Sequence, residues 1–274
     1  MYMDALRKSV IAGSWYPGNP SVLRRDIEDF FNFVPDTELE GEVVAIIAPH
    51  AGYIYSGQVA AYAYKCVCGN NYDAVIVVGP SHRTVFSGVS IFSNSGYETP
   101  LGVVPVAEEL AKQIKKNSKL VSDISAAHLQ EHSIEIQLPF LQYALGNFSF
   151  VPLVMGDQDE STCQELAQAI YDSARGKKIL IVGSSDLSHF HGYKEATKLD
   201  KVALRHLKDN DASGLLDSLG SGTAEACGGG PMAVAMLVAR KTGANSARVL
   251  KYANSGDVTG DKSSVVGYAA AIYL

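Results

Sequence analysis

Three apolar runs of this chain each lead, within a few residues, to side chains that can bind a metal or transfer protons. The run "VVAIIA" (43–48) leads to His50, "AVIVVG" (74–79) leads to His82, and "KILIVGS" (178–184) leads to Asp186 and His189. Short unbroken apolar runs are typical of buried strands. Pro49 and Pro80 end two of them, because proline lacks a backbone N–H and keeps the preceding residue extended. In α/β proteins the carboxyl ends of parallel strands border the ligand crevice, so we expect these side chains to converge there.

Several imidazoles with an acid beside them are typical of a metal site. Cys227 in "ACGGGP" is a further candidate ligand, because Pro231 suits the first turn of the next helix and a helix N-terminus favours a thiolate. The alternative is that each histidine is an ordinary polar group and that Cys227 is a small buried hydrophobe. Four of the seven histidines, counting His132, fall at the expected crevice, which favours a joint site.

A second motif, "HLQEH" from His128 to His132, matches the H-x-x-E-H pattern of inverted zinc peptidases. In that interpretation two histidines on one helical face would bind zinc beside a glutamate base. It leaves the three strand-end histidines without a role, so we keep it as a minor alternative. His132 and Glu135 are then candidates for supporting or acid/base groups around the strand-end site.

The composition excludes several classes of function. The chain has 274 residues, 47% of them apolar and 19% charged, with a net charge of −6. Without a basic stripe we expect no nucleic-acid partner, and without a run of roughly 18 apolar residues we expect no membrane partner. The N-terminus lacks the apolar core of a secretion signal, and four irregularly spaced cysteines suit reduced thiols, so we expect a cytoplasmic protein.

The elements that must position these side chains alternate along the chain. Further apolar runs at 150–156 and 264–274 predict two more strands, and amphipathic segments predict helices beginning near Asn19, Pro105, Asp159 and Tyr193. Residues 86–104 predict a hairpin inserted after the second strand. The pattern indicates an α/β fold in which residues 1–274 form one domain around a mostly parallel, mixed sheet flanked by helices.

The chain resembles the Memo (mediator of cell motility) family over its full length, in particular the microbial AmmeMemoRadiSam system protein B type. The motifs "AGSWYPG", "APHAGYIYSG", "GPSH", "EHSIEIQLPFL", "SSDLSH", "ACGGGP" and "NSGDVTGDKSSVVGYAA" occur in the family's order. The resemblance implies a fold similar to class III extradiol dioxygenases, which hold Fe(II) with two histidines and a glutamate. It also implies a radical-SAM partner protein, although this chain lacks the three-cysteine cluster of a radical-SAM enzyme itself.

The resemblance implies roles for individual residues. His50 and His82 match the two histidine ligands, Cys227 falls where the third ligand belongs, and His189 matches the catalytic histidine. His132 would support the site, and a crevice wall of Trp15 and Tyr55 would hold a substrate. Cysteine in place of the carboxylate makes the site softer and easier to oxidise, so ring cleavage does not follow.

Two hypotheses follow for function. In the first, a divalent metal, Fe(II) in preference to Cu or Zn, makes the protein a non-haem redox or dioxygenase-like enzyme. His189 would move protons and Asp186 would orient it or add a ligand. In the second, the crevice is a non-catalytic module that binds metal or a phosphopeptide, with Arg83 as the nearest arginine. Either way the ligand is a small molecule or a peptide.

Overall fold

The apolar runs form the centre of one large sheet in the computed structural model, which describes residues 6–274; the first five residues of the predicted domain lie outside this range. The strands are β1 Ala45–Ala48, β2 Ala74–Pro80, β3 Val89–Ile91, β4 Gly96–Thr99, β5 Gly102–Pro105, β6 Val121–Ser122, β7 Phe150–Met155, β8 Ile179–Ser184, β9 His189–His191, β10 Ala247–Asn254 and β11 Val265–Tyr273. The five predicted apolar runs are therefore confirmed as strands.

The helices cover the sheet in two groups whose members pack on one another. They are α1 Pro20–Asn32, α2 Tyr53–Lys65, α3 Glu108–Asn117, α4 Ser125–Leu129, α5 Leu138–Leu145, α6 Glu160–Ser173, α7 Tyr193–Lys208, α8 Ala212–Gly220, α9 Gly229–Lys241 and α10 Ser255–Thr259, with a 3-10 turn at Glu135–Gln137. Helices α1, α2 and α5 form one group, and α3, α6, α8 and α9 belong to the other. Asn19 caps α1 as expected, accepting hydrogen bonds from the backbone of Ser21 and Val22.

The strand order is β10, β11, β1, β8, β2, β7, β3, β6, with β9 paired to β11. The four central strands β1, β8, β2 and β7 run parallel, whereas β11 is antiparallel to β1 and β3 is antiparallel to β7. All four residues of β1 are buried, although alternate side chains of a strand point to opposite faces, so both faces of the sheet are covered. An α/β fold with a mixed sheet flanked by helices is thus confirmed.

The hairpin predicted over residues 86–104 is only partly correct. Strands β4 and β5 do form an antiparallel hairpin of their own. The first part of the segment, β3, instead joins the main sheet between β7 and β6. The physical reason is burial, because Val89 and Ile91 are completely buried and find cover only within the sheet.

Strands β1, β8 and β2 are neighbours and run in the same direction, so their carboxyl ends lie side by side at one edge of the sheet. This edge carries His50, Asp186 and His82 immediately after the three strands. Within residues 6–274, none of the helices has the length and apolar character needed to span a membrane.

Candidate metal centre

Three histidines meet at this edge of the sheet. His50, His82 and His132 each present a ring nitrogen, and these three atoms lie within 4.8 Å of one another. The ring centroid of His50 lies 5.1 Å from that of His82 and 5.4 Å from that of His132. The centroids of His82 and His132 are 4.5 Å apart. Nitrogen donors this close together can bind one metal ion.

His50 is held from three sides. Its backbone nitrogen donates to the carboxylate of Asp186 at 2.7 Å. Its ring contacts the hydroxyl of Ser184 through Nδ1 at 3.0 Å and the sulfur of Cys227 through Nε2, also at 3.0 Å. The residue is 2% exposed, so its ring cannot turn without disturbing these buried partners.

His82 is oriented by the carboxylate of Glu131. Burial alone would raise the pKa of Glu131, but hydrogen bonding and charge from His82 outweigh it and lower the pKa to about 2. An ionised carboxylate only accepts hydrogen bonds, so Nδ1 of His82 donates to it and Nε2 is the nitrogen left for a metal. A carboxylate behind a histidine is the usual support of a metal ligand.

His132 packs with its ring against Trp15, at 4.3 Å between centroids. Its buried Nδ1 atom lies 3.4 Å from the carboxylate of Glu131 and, within the described part of the chain, makes no hydrogen bond. A buried polar atom without a partner is costly, and a bound metal ion would remove this cost if it used that nitrogen.

The protein environment keeps the buried imidazoles neutral. Burial, helped by the charge of His82, lowers the pKa of His50 to about 3, and burial together with His50 lowers the pKa of His132 to about 3. Neutral imidazole is the form that binds metal, so no proton has to leave either ring at neutral pH. The donor set therefore fits a divalent transition metal.

Cys227 lies at the site because the backbone just before α9 packs closely against the end of β8. Gly228 follows it, and a Cβ atom at Gly228 would clash with the carbonyl oxygen of Ser184. Cys227 precedes α9 as the sequence predicts, but its surroundings oppose the thiolate that a helix N-terminus favours. Burial and the nearby carboxylate of Asp186 raise the pKa of the Cys227 thiol far above its usual range. In the metal-free protein the thiol is therefore protonated, and its sulfur lies 3.0 Å from Nε2 of His50.

Asp186 and His189 follow β8 as the sequence predicts. Burial raises the pKa of Asp186 to about 6, and the hydrogen bond from the backbone of His50 and the charge of His189 partly offset this. Its carboxylate accepts a hydrogen bond from the backbone nitrogen of His50, which fixes the turn after β1. The backbone of His189 donates to Glu225, and the residue lines the same cavity as the three histidines.

The histidines form the floor of a cavity of about 640 Å³. Trp15, Tyr55 and Tyr268 line its walls together with polar side chains such as Thr259 and Asp261, so aromatic and polar groups surround a nitrogen-rich floor. Ile54 and Phe190 stand at the mouth with exposures of 74% and 76%. Phe190 has a φ of 63°, a left-handed conformation that costs energy for a side chain of this kind.

The "HLQEH" motif does not bring its two histidines together. Helix α4 ends at Leu129, so His128 and His132 do not share a helical face. Both ring nitrogens of His128 are occupied, by Ser90 at 3.0 Å and by Tyr97 at 2.7 Å, in the core. The geometry therefore gives the peptidase interpretation no support.

Glu135 also has a structural place. It is completely buried, pairs with Arg7 and accepts hydrogen bonds from Ser9, Tyr16 and the backbone of Val10. These contacts tie the N-terminal segment to the body of the protein. The acid that contacts a ring of the histidine cluster is Glu131, which the sequence suggested only as a peptidase base.

Sequence reasoning missed the partners that orient the rings. Glu131 lies 49 positions from His82 and Ser184 lies 134 positions from His50. The one available signal was position, since Ser184 is the last residue of β8 and so lies at the same edge of the sheet as His50.

A family model described as Memo-like protein matches residues 7–272. Curated relatives named MEMO1 family proteins include one from Methanobrevibacter smithii, 40% identical over 98% of this chain and 99% of that protein. Another, from Nitrosopumilus maritimus, is 35% identical over 98% of this chain and 100% of the relative. An uncharacterized protein of Escherichia coli K12 shares the fold at 12% identity, with a TM-score of 0.53 over 84% of this chain and 99% of that one. The chain therefore belongs to the Memo-like protein family.

Proposed function

We propose that the protein is a non-haem metal enzyme, with one divalent ion, Fe(II) in preference to Cu or Zn, at the floor of the cavity. The observation that carries the proposal is the meeting of His50, His82 and His132, whose ring nitrogens lie within 4.8 Å of one another. A metal-binding set at an open, aromatic-lined cavity suits catalysis better than a purely structural role.

Two sets of three ligands share His50 and His82. In one set the third ligand is His132, which already belongs to the cluster. In the other it is Cys227, which the family resemblance implies and whose sulfur lies 3.0 Å from Nε2 of His50. Three nitrogens suit a harder site, whereas a thiolate makes the site softer and more easily oxidised.

The residues around the floor of the cavity would bind the substrate and transfer a proton. The aromatic walls at Trp15 and Tyr55 would hold a planar or apolar small molecule against the floor. His189, which faces the same cavity, would transfer a proton to or from the bound molecule. When bound, iron(II) would supply Lewis acidity and electrons for reaction with O₂.

Metal titration of single variants tests this proposal. Fe(II) and Zn(II) affinities would be measured anaerobically on untagged protein for His50→Ala, His82→Ala, His132→Ala and Cys227→Ser. We expect a sharp loss of metal affinity for His50→Ala and His82→Ala. Between His132→Ala and Cys227→Ser, the variant with the larger loss of affinity identifies the third ligand. His128→Gln is the control, because it removes a buried imidazole away from the cluster and should leave affinity unchanged. Wild-type affinity in His50→Ala and His82→Ala would refute the metal centre.

A second candidate, a binding module for an anionic peptide, rests on one further observation. A neighbouring depression of about 500 Å³ shares Trp15 and His132 with the cavity and carries Arg83 on its wall. A guanidinium there could pair with a phosphate or carboxylate of a bound peptide. Titration of wild type and Arg83→Ala with a phosphotyrosine peptide tests this candidate. Equal binding by both proteins would mean that Arg83 does not bind the peptide.

A further inference from the structure

Ser184 makes three hydrogen bonds at the end of β8. Its hydroxyl lies 2.7 Å from the carbonyl oxygen of Ser133, 2.8 Å from Nε2 of Gln137 and 3.0 Å from Nδ1 of His50. These residues are almost completely buried, with exposures between 0% and 2%. Water cannot easily replace a missing partner here, so each hydrogen bond needs a proton on one side and a lone pair on the other.

The direction of the Gln137 hydrogen bond is fixed by its other contacts. Its Nε2 atom also lies 3.0 Å from the carbonyl oxygen of Pro49, which can only accept. Its Oε1 atom accepts from the hydroxyl of Tyr64 at 2.6 Å. Turning the amide over would place its oxygen against the oxygen of Pro49, so Nε2 is the atom that donates to Ser184.

The hydroxyl of Ser184 has one proton and two lone pairs. The proton must go to the carbonyl oxygen of Ser133, because two oxygens 2.7 Å apart without a proton between them would repel. One lone pair accepts from Gln137. The other lone pair faces Nδ1 of His50, and that nitrogen must therefore carry a proton.

We propose that Ser184, oriented by Gln137 and Tyr64, is a positioning residue that keeps His50 protonated on Nδ1 and so places the lone pair on Nε2, the atom that the Cys227 sulfur contacts and that a metal would use. This tautomer follows from the network alone, and only its use for binding rests on the proposed metal function. The carboxylate of Glu131 likewise accepts from Nδ1 of His82, which leaves Nε2 of that ring for a metal. The two rings thus present equivalent nitrogens, one supported by a neutral hydroxyl and the other by a negative charge.

Nitrogen-15 NMR of metal-free protein with labelled histidine tests the tautomer directly. In wild type we expect the Nδ1 shift of His50 to be that of a protonated nitrogen and the Nε2 shift to be that of an unprotonated one. In Ser184→Ala we expect His50 to be a mixture of both tautomers or to be protonated on Nε2. Ser184→Thr, which keeps the hydroxyl, should restore the wild-type tautomer. Ser133→Ala is the matched control, because its hydroxyl is buried nearby but bonds Pro80 and not a ring.

Zn(II) affinity of the same variants provides the second measurement. Loss of a residue that supports a ligand typically costs about 10–100-fold in affinity, and we expect this for Ser184→Ala but not for Ser133→Ala. A wild-type His50 protonated on Nε2, or a Ser184→Ala protein with an unchanged tautomer, would overturn the inference. The wild-type spectrum decides even if Ser184→Ala does not fold. If the tautomer is as expected but wild type binds no metal, the proposed function fails and the positioning role stands.

Discussion

The carboxylate of Glu131 accepts hydrogen bonds from both the backbone nitrogen and the ring Nδ1 of His82, at 2.6 and 2.9 Å. It also accepts from the backbone nitrogens of His132 and Ser133, both at 2.9 Å. One buried side chain therefore joins the turn after β2 to the segment that carries His132. Two of the three clustered histidines depend on it for their position.

Replacing Glu131 with glutamine should weaken metal binding by about 10–100-fold, because the amide would direct an N–H group at donors that need an acceptor. Competition with a chelator would measure the affinity. Glu135→Gln is the matched control, as a buried acid that pairs with Arg7 on the N-terminal segment. We expect that variant to lose stability in urea but to keep the metal affinity of its folded fraction. Equal affinity losses in both variants would contradict a specific role for Glu131.

Stability should fall when the pH is lowered from about 6.5 toward 4. Burial lowers the pKa of His50, His128 and His132 to about 3 in the folded protein, whereas a histidine of the unfolded chain titrates near 6.5. The unfolded state thus binds more protons between these values, and protonation favours unfolding. Asp186 acts in the opposite direction, because burial raises its pKa to about 6 and the folded state takes up its proton first.

Near pH 5 the three histidines together take up about three protons on unfolding, whereas Asp186 releases about one. The net uptake on unfolding is therefore roughly two protons. Urea unfolding of metal-free protein at half-unit pH steps would measure this slope. His128→Gln should reduce it by about one proton, or ~1.4 kcal/mol per pH unit, without touching the metal site. A flat stability profile between pH 6.5 and 4 would mean that these rings are already protonated in the folded state.

The four cysteines should differ in reactivity according to exposure. Cys68 is exposed and should react first with iodoacetamide in metal-free protein. Cys227 should react slowly, because burial and Asp186 raise the pKa of its thiol, and Cys163 should do so because burial raises its pKa to about 12. Peptide mass spectrometry at timed intervals gives the order. Fast labelling of Cys227 would indicate a thiolate that the hydrogen-bonding environment does not account for.

His189→Ala should retain the metal but lose most of any turnover, since His189 lies in the cavity wall and its proposed role is proton transfer. The expected loss is about 10²–10⁴-fold. O₂ consumption by anaerobically reconstituted Fe(II) protein, with a panel of catechols, would measure it. Metal loss in His189→Ala would instead make it a ligand.

Cys227→Glu is the companion variant, because it restores the carboxylate of the two-histidine iron sites. Ring cleavage by this variant and not by wild type would mean that the natural reaction differs from that of the dioxygenases. If neither protein consumes O₂ faster than free iron does, ring cleavage is excluded for this panel.

The sequence predicted the strands and the edge at which the site lies because both follow from local chemistry. Unbroken Val and Ile runs need cover on both faces, and Pro49 and Pro80 place the next residues at the strand ends. The predicted meeting of His50 and His82 therefore has a physical basis in the adjacency of parallel strands. The predicted hairpin over residues 86–104 was only partly correct, because a three-residue strand such as β3 pairs where burial requires it.

The partners of the rings could not be predicted in the same way. Whether Glu131 faces His82 depends on where α4 ends and on how Arg7 holds the 128–131 segment through the carbonyl oxygens of His128 and Glu131. Such contacts arise from packing between distant segments and leave no periodic pattern. Cys227 shows the same limit, because desolvation of its thiol opposes the effect expected of the helix N-terminus.

The floor of the cavity and its mouth are built from different kinds of structure. His50 and His82 follow neighbouring parts of a hydrogen-bonded sheet, whereas Tyr55, Phe190 and Ile54 project from a helix start and a short edge strand. Protein engineers could therefore treat the two as separate modules. A library randomised at Ile54, Tyr55 and Phe190 would sample new substrate preferences while the nitrogen donors, with their own buried supports, remained in place.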